Sequence, residues 1–374
     1  MISPRLRGLP AGGFCLRQQL VWLVLAVSIQ SVIGPRPSAA PRNRDDLEQG
    51  RVLQTTAALR RQLLDAFVDW IQNQEASATG ARPFASLARE TPIVVTELLE
   101  EYGRVLYETG ASRRTFAETI NVVQQKFPFL RRMMTGPWQL ATTWESLHPS
   151  QMHPPIPKPL LEAMVSISIS WKWHRLALLL LLGFYALLRP AELFFLKVKH
   201  FVLSDLTGLD SVVLIQLLQT KTRTRGARFQ SVRLEEPRVI VFLQKCLSVM
   251  TQNELLWPLS PALFRTRFDQ VLTRACGISK LVYPSSLRPG GATFLFQLWK
   301  EDIQKLQWRG RWLHMKTMLH YIQELGAVNI FDKLEPAQKS RVLLLAQLLP
   351  EALANCVVVV DTFSLVAAFA NAGS

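Results

Sequence analysis

The amino-acid sequence predicts a mainly α-helical protein of two domains, the second of which carries one small β-hairpin. The first observation is a helical spacing of apolar residues, at steps of three and four, over most of the chain. The second is a proline cluster at residues 154–159, which is typical of a linker between domains. The third is a strand-like segment at residues 211–234. We therefore expect a helical domain over residues 50–150 and a second, mainly helical domain over residues 157–326.

The first domain is predicted from one long amphipathic pattern and two capped helices. Its first helix places four apolar side chains on one face: Leu59, Leu63, Phe67 and Ile71. Thr91 stands where it can cap the next helix, Gly110 ends that helix, and Ser112 can cap the one that follows. Basic residues are spread over this domain, and we expect Arg113 and Arg114 to contact a polyanion. Charges of this kind are also typical of an ordinary solvated surface.

The second domain contains the hairpin and one strongly apolar helix. The hairpin pairs V-V-L-I at residues 212–215 with a returning strand at residues 229–234, across a polar turn. An apolar run at residues 176–188 lies between Arg175 and Arg189. Because a bilayer span needs about 20 residues, this run predicts a buried helix.

The two ends of the chain have their own character. Residues 1–45 contain several arginines, an apolar run and the small residues Ser38, Ala39 and Ala40, which together resemble a cleaved leader. A start codon assigned too far upstream explains the same segment equally well. Residues 327–374 form a tail with two apolar pieces between residues 342 and 370, which could be exchanged between subunits or packed on their own domain.

Composition favours a polyanionic partner and gives no sign of a cofactor. Lys and Arg number 43 against 28 Asp and Glu, with a formal net charge of +15. Such a balance suits nucleic acid or an anionic membrane. The four cysteines and six histidines are scattered, without the spacing of a zinc or other metal site, and no phosphate-binding loop for nucleotide hydrolysis is present. We therefore expect no metal, nucleotide or other cofactor.

Four separated segments of the second domain fit one chemical task. They contribute an arginine after the apolar run, a lysine in the hairpin turn, a second arginine in the segment S-S-L-R-P-G-G, and a tryptophan nine residues before a tyrosine: Arg189, Lys221, Arg288, Trp312 and Tyr321. In this order and spacing the segments resemble the boxes of the tyrosine recombinase (phage integrase) family. The resemblance covers the second domain well and the helical first domain loosely. It implies a two-domain clamp around duplex DNA, with a helical core-binding domain and a catalytic domain.

The chemistry of that family accounts for each residue type. Arg189 and Arg288 would bind the non-bridging oxygens of a phosphodiester and remain charged at any working pH. Lys221 would protonate the leaving 5′ oxygen, and the Trp312 indole would donate to a phosphate oxygen. Tyr321 would form a covalent 3′-phosphotyrosyl intermediate. Since that ester conserves the bond energy, neither ATP nor a metal is required.

One departure from the family pattern bears on activity. Ser285 stands three residues before Arg288, where the family usually has a histidine, and a serine cannot act as a base near neutral pH. Pro289 and Arg311 also differ from the pattern, Arg311 standing where glycine is common. The resemblance therefore implies a site-specific recombinase or integrase, weakened by this change. A topoisomerase of the same chemistry and a catalytically degenerate DNA-binding relic of a mobile element stay open as alternatives.

The expected partners follow from the resemblance and the charge. Duplex DNA would contact Arg113 and Arg114 in the first domain and three arginines beside the hairpin lysine: Arg223, Arg225 and Arg228. The family implies a homo-oligomer, a tetramer, assembled on DNA. We expect the protein in the nucleus or another DNA-containing compartment, while the leader-like segment leaves organelle targeting or secretion open.

Overall fold

The computed structural model describes residues 54–75, 83–149, 153–204, 212–218 and 230–358. The chain divides into two compact units, Met1–Ser150 and Gln151–Ser374. The described residues are mainly helical and contain one three-stranded antiparallel sheet in the second unit. The predicted class, mainly α with a small sheet, is confirmed.

The first unit is a bundle of helices around one aromatic core. Its helices are α1 (Gln54–Glu75), α2 (Phe84–Glu90), α3 (Pro92–Glu108), α4 (Arg113–Lys126) and α5 (Thr135–Leu147), with a 3₁₀ turn at Pro128–Met133. Phe67 of α1 and Phe116 of α4 are fully buried in this core. The predicted face of α1 holds at Phe67 and Ile71, whereas Leu59 is 36% exposed and Leu64 takes the inner position one turn before Phe67.

The predicted caps of the first unit have different outcomes. The Ser112 hydroxyl accepts a hydrogen bond from the Thr115 amide at 3.2 Å, so it caps α4 as expected. Gly110 follows α3 with a φ of +74°, a conformation that favours glycine. The prediction for Thr91 is wrong, because its hydroxyl donates back to the Leu87 carbonyl at 3.1 Å and makes no cap.

The second unit is built around one buried helix. Its helices are α6 (Lys158–Ser170), α7 (His174–Tyr185), α8 (Pro190–Leu193), α9 (Pro237–Ser248), α10 (Pro261–Cys276), α11 (Leu287–Leu298), α12 (Ile303–Gly310), α13 (Met315–Leu319), α14 (Glu324–Asp332), α15 (Pro336–Gln347) and α16 (Leu349–Asn355). All residues of α7 are buried, which confirms the buried helix. Within the parts of the chain that the structure describes, every helix is too short or too polar to span a bilayer.

The sheet contains the predicted hairpin and one further strand. The strands β1 (Phe201–Ser204), β2 (Val212–Leu217) and β3 (Gln230–Leu234) lie in that order, all antiparallel. Val213 pairs with Leu234, as the hairpin requires. Strand β1 was not predicted, because four residues are too few to show an alternating pattern. The turn between β2 and β3 lies outside the described residues, and with it the four basic side chains expected to reach DNA: Lys221, Arg223, Arg225 and Arg228.

The compact second unit continues past residue 326, where the sequence suggested a boundary. Helices α15 and α16 pack on α6 and bury Val342, Leu349 and Leu353. Lys245 of α9 donates to the carbonyls of Leu353 and Ala354, at 3.1 and 2.6 Å, and so neutralises part of the negative end of α16. This part of the tail is therefore packed on its own unit, while residues 359–374 lie outside the described residues.

Candidate active site

Arg189 lies at a sharp turn after the buried helix α7. Leu187 adopts a left-handed conformation, with a φ of +51°, which ends the helical path and turns its carbonyl toward the site. Pro190 then opens the short helix α8. The Glu192 carboxylate accepts from the Arg189 amide at 2.9 Å, and the Arg189 guanidinium donates to the same carboxylate at 2.9 Å. The Glu192 carboxylate thus accepts from both the backbone and the side chain of Arg189, which holds the arginine in place.

Arg288 lies in the first turn of α11 and is 2% exposed. Its two terminal nitrogens donate to the carbonyls of Leu187, at 2.8 Å, and Gly310, at 2.6 Å. The glycines that follow Arg288 permit this depth, because a Cβ on Gly291 would overlap the backbone carbonyl of Phe184 in α7. A close approach of α11 to α7 therefore brings the second arginine to the end of the buried helix.

Trp312 and Tyr321 contact the Arg288 guanidinium from one side. The guanidinium carbon lies 4.8 Å from the Trp312 ring centroid and 5.4 Å from that of Tyr321. The two rings are tilted against each other, with their centroids 5.1 Å apart. The Thr293 hydroxyl donates to the Tyr321 carbonyl at 3.2 Å and accepts from the Gln323 amide at 3.0 Å, so α11 also holds the backbone of the tyrosine. Sequence reasoning missed Thr293, which carries no signal of its own.

A third arginine completes the cluster. Arg311 donates from its two terminal nitrogens to the two oxygens of Glu192, at 3.2 and 3.0 Å. Glu192 is 4% exposed and Arg311 is also largely buried. The sequence marked Arg311 only as a departure at a glycine position. That departure was the available sign that residue 311 is unusual, since Arg311 adopts the left-handed conformation that favours glycine, with φ +58° and ψ +42°.

The electrostatics of the cluster favour an anion. Three guanidiniums surround a single carboxylate, that of Glu192. Burial, together with the like charges of Arg189 and Arg311, lowers the pKa of Arg288 to about 9, so it is protonated at neutral pH. Burial by itself would raise the pKa of Glu192, but the bonds from Arg311 and Arg189 outweigh it and lower that pKa below its ordinary value. The carboxylate is thus ionised, and these four described side chains carry a net charge of +2.

Within the described residues, three N–H donors of the cluster are buried without an acceptor: Nε of Arg288, Nε of Arg311 and Nε1 of Trp312. A buried donor without a partner costs free energy, so such groups are uncommon and call for an explanation. Here they gather beside uncompensated positive charge and next to a tyrosine. A bound oxyanion such as a phosphate diester would satisfy both the charge and the donors. Among the described residues, no group of His, Cys, Asp or Glu side chains is suited to hold a metal ion.

The remaining predicted site residues in the described segments are Ser285, Arg113 and Arg114. Ser285 is half-buried in the 3₁₀ turn Pro284–Ser286, directly before α11. In the first unit, Arg114 is exposed, whereas Arg113 donates to the Ala141 carbonyl at 2.9 Å and pairs with Glu145 at 2.8 Å. Arg113 therefore links α4 to α5, in addition to the DNA contact predicted for it.

Comparison with known proteins adds information on the fold. No family model matches the chain, and no curated protein matches it. Among solved structures, the Tn1549 transposon integrase in complex with transposon right end DNA is 14% identical, covers 76% of this chain and 95% of its own, and has a TM-score of 0.54. The same integrase with circular intermediate DNA is 16% identical over 78% of this chain and 97% of its own, with a TM-score of 0.50. A lambda integrase dimer bound to a COC′ core site is 12% identical over 82% of this chain and 88% of its own, with a TM-score of 0.43.

Proposed function

We propose that this chain, which has the fold of the tyrosine recombinases, is a DNA strand transferase that cuts and rejoins strands through a covalent bond to Tyr321. One observation carries the proposal. The buried N–H donors of Arg288, Arg311 and Trp312 without an acceptor lie beside a tyrosine, in a cluster with excess positive charge. A phosphodiester is the ligand that fits this arrangement, and tyrosine is a nucleophile suited to it.

We infer the reaction from the chemistry of these groups. The Tyr321 oxygen attacks phosphorus, the bond from phosphorus to the 5′ oxygen breaks, and the 3′ phosphate stays on the tyrosine as an ester. The phenol gives its proton to solvent water, and the leaving 5′ oxygen takes one, for which we propose Lys221 as the donor. Arg189 and Arg288 stabilise the charge that develops on the non-bridging oxygens, and removing a donor of this kind typically costs several kcal/mol of barrier. Attack by a 5′ hydroxyl on the ester reverses the steps and rejoins a strand.

Site-specific recombination or integration is the form of this chemistry that we propose. The net charge of +15 supports a duplex DNA partner, as does the likeness to an integrase solved with DNA. Exchange between two duplexes involves four strands and so four tyrosines, which supports a homo-tetramer on DNA. The nucleus or another DNA-containing compartment is the location that this partner requires.

Ser285 favours a second candidate, a protein that binds DNA without cutting it. An imidazole at this position would accept and return a proton near neutral pH, and a hydroxyl cannot. The arginine cluster would still bind a phosphate in such a protein. A covalent adduct therefore distinguishes the two candidates, whereas DNA binding by itself does not.

The experiment that tests the proposal is adduct trapping on nicked duplex. Duplexes that the full chain binds are first selected from a random-sequence library. Each of these duplexes is then nicked close to one phosphate, and the phosphates are taken in turn. Cleavage next to the nick releases a short fragment with a free 5′ hydroxyl, which diffuses away. Wild-type protein should give a denaturation-resistant adduct that Tyr321→Phe does not give, since that change removes only the attacking oxygen. Tyr283→Phe is the matched control, because Tyr283 is 39% exposed on the same unit and outside the arginine cluster.

Each outcome has a distinct meaning. An adduct that forms equally with Tyr321→Phe would show that another residue is the nucleophile. If wild-type protein binds its selected duplex but forms no adduct at any nick position, the binding-only candidate is correct. Relaxation of a supercoiled plasmid that carries a single selected site would indicate a topoisomerase, since recombination needs two sites.

A further inference from the structure

The Glu192 carboxylate is saturated by its two closest arginines. One oxygen accepts from Arg189 Nη1 at 2.9 Å and from Arg311 Nη1 at 3.2 Å. The other accepts from the Arg189 amide at 2.9 Å and from Arg311 Nη2 at 3.0 Å. An ionised carboxylate offers about four acceptor positions, so none is left for another donor.

Arg288 is excluded from this carboxylate although it lies next to it. Its Nη1 is 4.0 Å from the Glu192 oxygen that Arg311 binds at 3.0 Å. The terminal nitrogens of Arg288 instead donate to two neutral carbonyls, those of Leu187 and Gly310. The carbonyls accept one hydrogen bond from each terminal nitrogen but carry no net charge, and the ion pair with Glu192 stays at 4.0 Å. Nε of Arg288 has no acceptor among the described residues.

The backbone conformation of residue 311 is unfavourable for an arginine. A φ of +58° is disfavoured for residues with a Cβ, and glycine adopts it freely. Strained residues of this kind persist where the surrounding structure requires them, and they gather at functional sites. Leu187, whose carbonyl accepts from both Arg288 and Arg311, is left-handed as well.

We propose that Arg311 is a positioning residue, which occupies Glu192 and thereby keeps Arg288 from a hydrogen-bonded pair with that carboxylate, so that the Arg288 charge is available to a phosphate. This inference rests on the proposed function for the identity of the phosphate, which would be a DNA phosphodiester. Without Arg311, two acceptor positions of Glu192 become vacant, 4.0 Å from a cation that is fully buried. Arg288 then pairs with Glu192, and an entering phosphate has to displace an internal carboxylate.

The test measures the affinity of the full chain for inorganic phosphate, from the rise in melting temperature at constant ionic strength with chloride as the replaced anion. Arg311→Gly should bind phosphate about tenfold more weakly, as expected when pairing with Glu192 neutralises the Arg288 guanidinium. Its melting temperature without phosphate should not fall, because glycine relieves the left-handed strain and one like charge is removed. A purely structural role for Arg311 predicts the reverse, a loss of stability.

A second substitution separates the positioning role from a direct one. In the Glu192→Gln background no carboxylate competes for Arg288, so adding Arg311→Gly there should change phosphate affinity by less than about twofold. If Arg311→Gly weakens binding about tenfold in that background too, the inference is overturned, because Arg311 then contributes its own charge. Unchanged phosphate affinity in Arg311→Gly, or no phosphate-specific response of the wild type, overturns it too.

Three control variants accompany the test. Arg175→Lys alters another largely buried arginine–glutamate pair, with Glu254, and should change stability without changing phosphate affinity. Arg311→Asn repeats the test with a second residue that tolerates the left-handed conformation, in case the glycine variant folds poorly. Tyr321→Phe should retain the phosphate response while it loses any DNA adduct. Failure of the proposed function therefore appears in the adduct assay, and failure of the inference appears in the phosphate titration.

Discussion

Gly310→Ala is the substitution for which the arrangement of the site makes the sharpest prediction. Gly310 is the last residue of α12, and its carbonyl accepts from Arg288. A Cβ on this residue would overlap three atoms of the Trp312 six-membered ring. That ring is 5% exposed and packs against Arg288 and Tyr321, so it cannot turn away freely. The added methyl group must therefore displace the tryptophan, the backbone at residue 310, or both.

Two opposing effects determine the size of the change. Alanine is favoured over glycine within a helix by about 1 kcal/mol. Forcing one extra carbon into a packed interior costs about 1–3 kcal/mol. We expect the second effect to exceed the first, with a net loss of up to about 2 kcal/mol in the free energy of unfolding, or a fall of up to about 8 °C in the melting temperature of a unit of this size.

Calorimetry of the full chain measures the stability, and titration with inorganic phosphate measures the site. Phosphate affinity should fall in Gly310→Ala, because the carbonyl of residue 310 and the Trp312 ring both hold Arg288. Gly326→Ala is the control, since its Cβ would come no nearer than 3.0 Å to Pro155. A stabilised Gly310→Ala with unchanged phosphate affinity, as helix preference by itself predicts, would refute the reasoning.

Four further predictions concern activity, pH, salt and the first unit. Ser285→His should raise the rate of adduct formation if the chain is a weakened enzyme, and an unchanged rate would show that the missing imidazole is not limiting. Because the pKa of Glu192 is lowered from 4.5, its carboxylate stabilises the fold fully above that pH and less as the pH falls through its lowered pKa. The difference in unfolding free energy between wild type and Glu192→Gln should therefore shrink on acidification below about pH 4.5, and a constant difference would contradict the pairing. The affinity for duplex DNA should fall by about 0.9 log units per log unit of salt for each phosphate neutralised, so a flat response would remove the electrostatic argument. Arg113→Ala should lower the stability of the first unit by about 1 kcal/mol through the lost bonds to α5, whereas Arg114→Ala should leave it unchanged; equal effects in thermal unfolding would contradict this difference.

The local sequence pattern was sufficient to predict the elements that are stabilised by residues close to them in sequence. The helix at residues 174–185 is apolar on all sides, which only a buried position accommodates, and it is buried. Ser112 caps α4 because an N-cap needs only an amide three residues away. Thr91 had the same local signal, but its hydroxyl bonds backward to Leu87, a choice between two nearby partners that sequence does not resolve.

By itself the sequence determined the order of the residue types that we propose for the site, from Arg189 to Tyr321, and chemistry restricts the side chains that can bind a phosphate. Only the tertiary structure decided how those side chains are paired. Arg311 binds Glu192 across 119 positions of the chain, and Arg288 reaches the Leu187 carbonyl across 101. Such contacts depend on how α7, α11 and α12 pack together, and no local pattern records that packing. In the sequence Arg311 is only a departure from a motif. In the tertiary structure it occupies the Glu192 carboxylate, to which Arg288 makes no hydrogen bond.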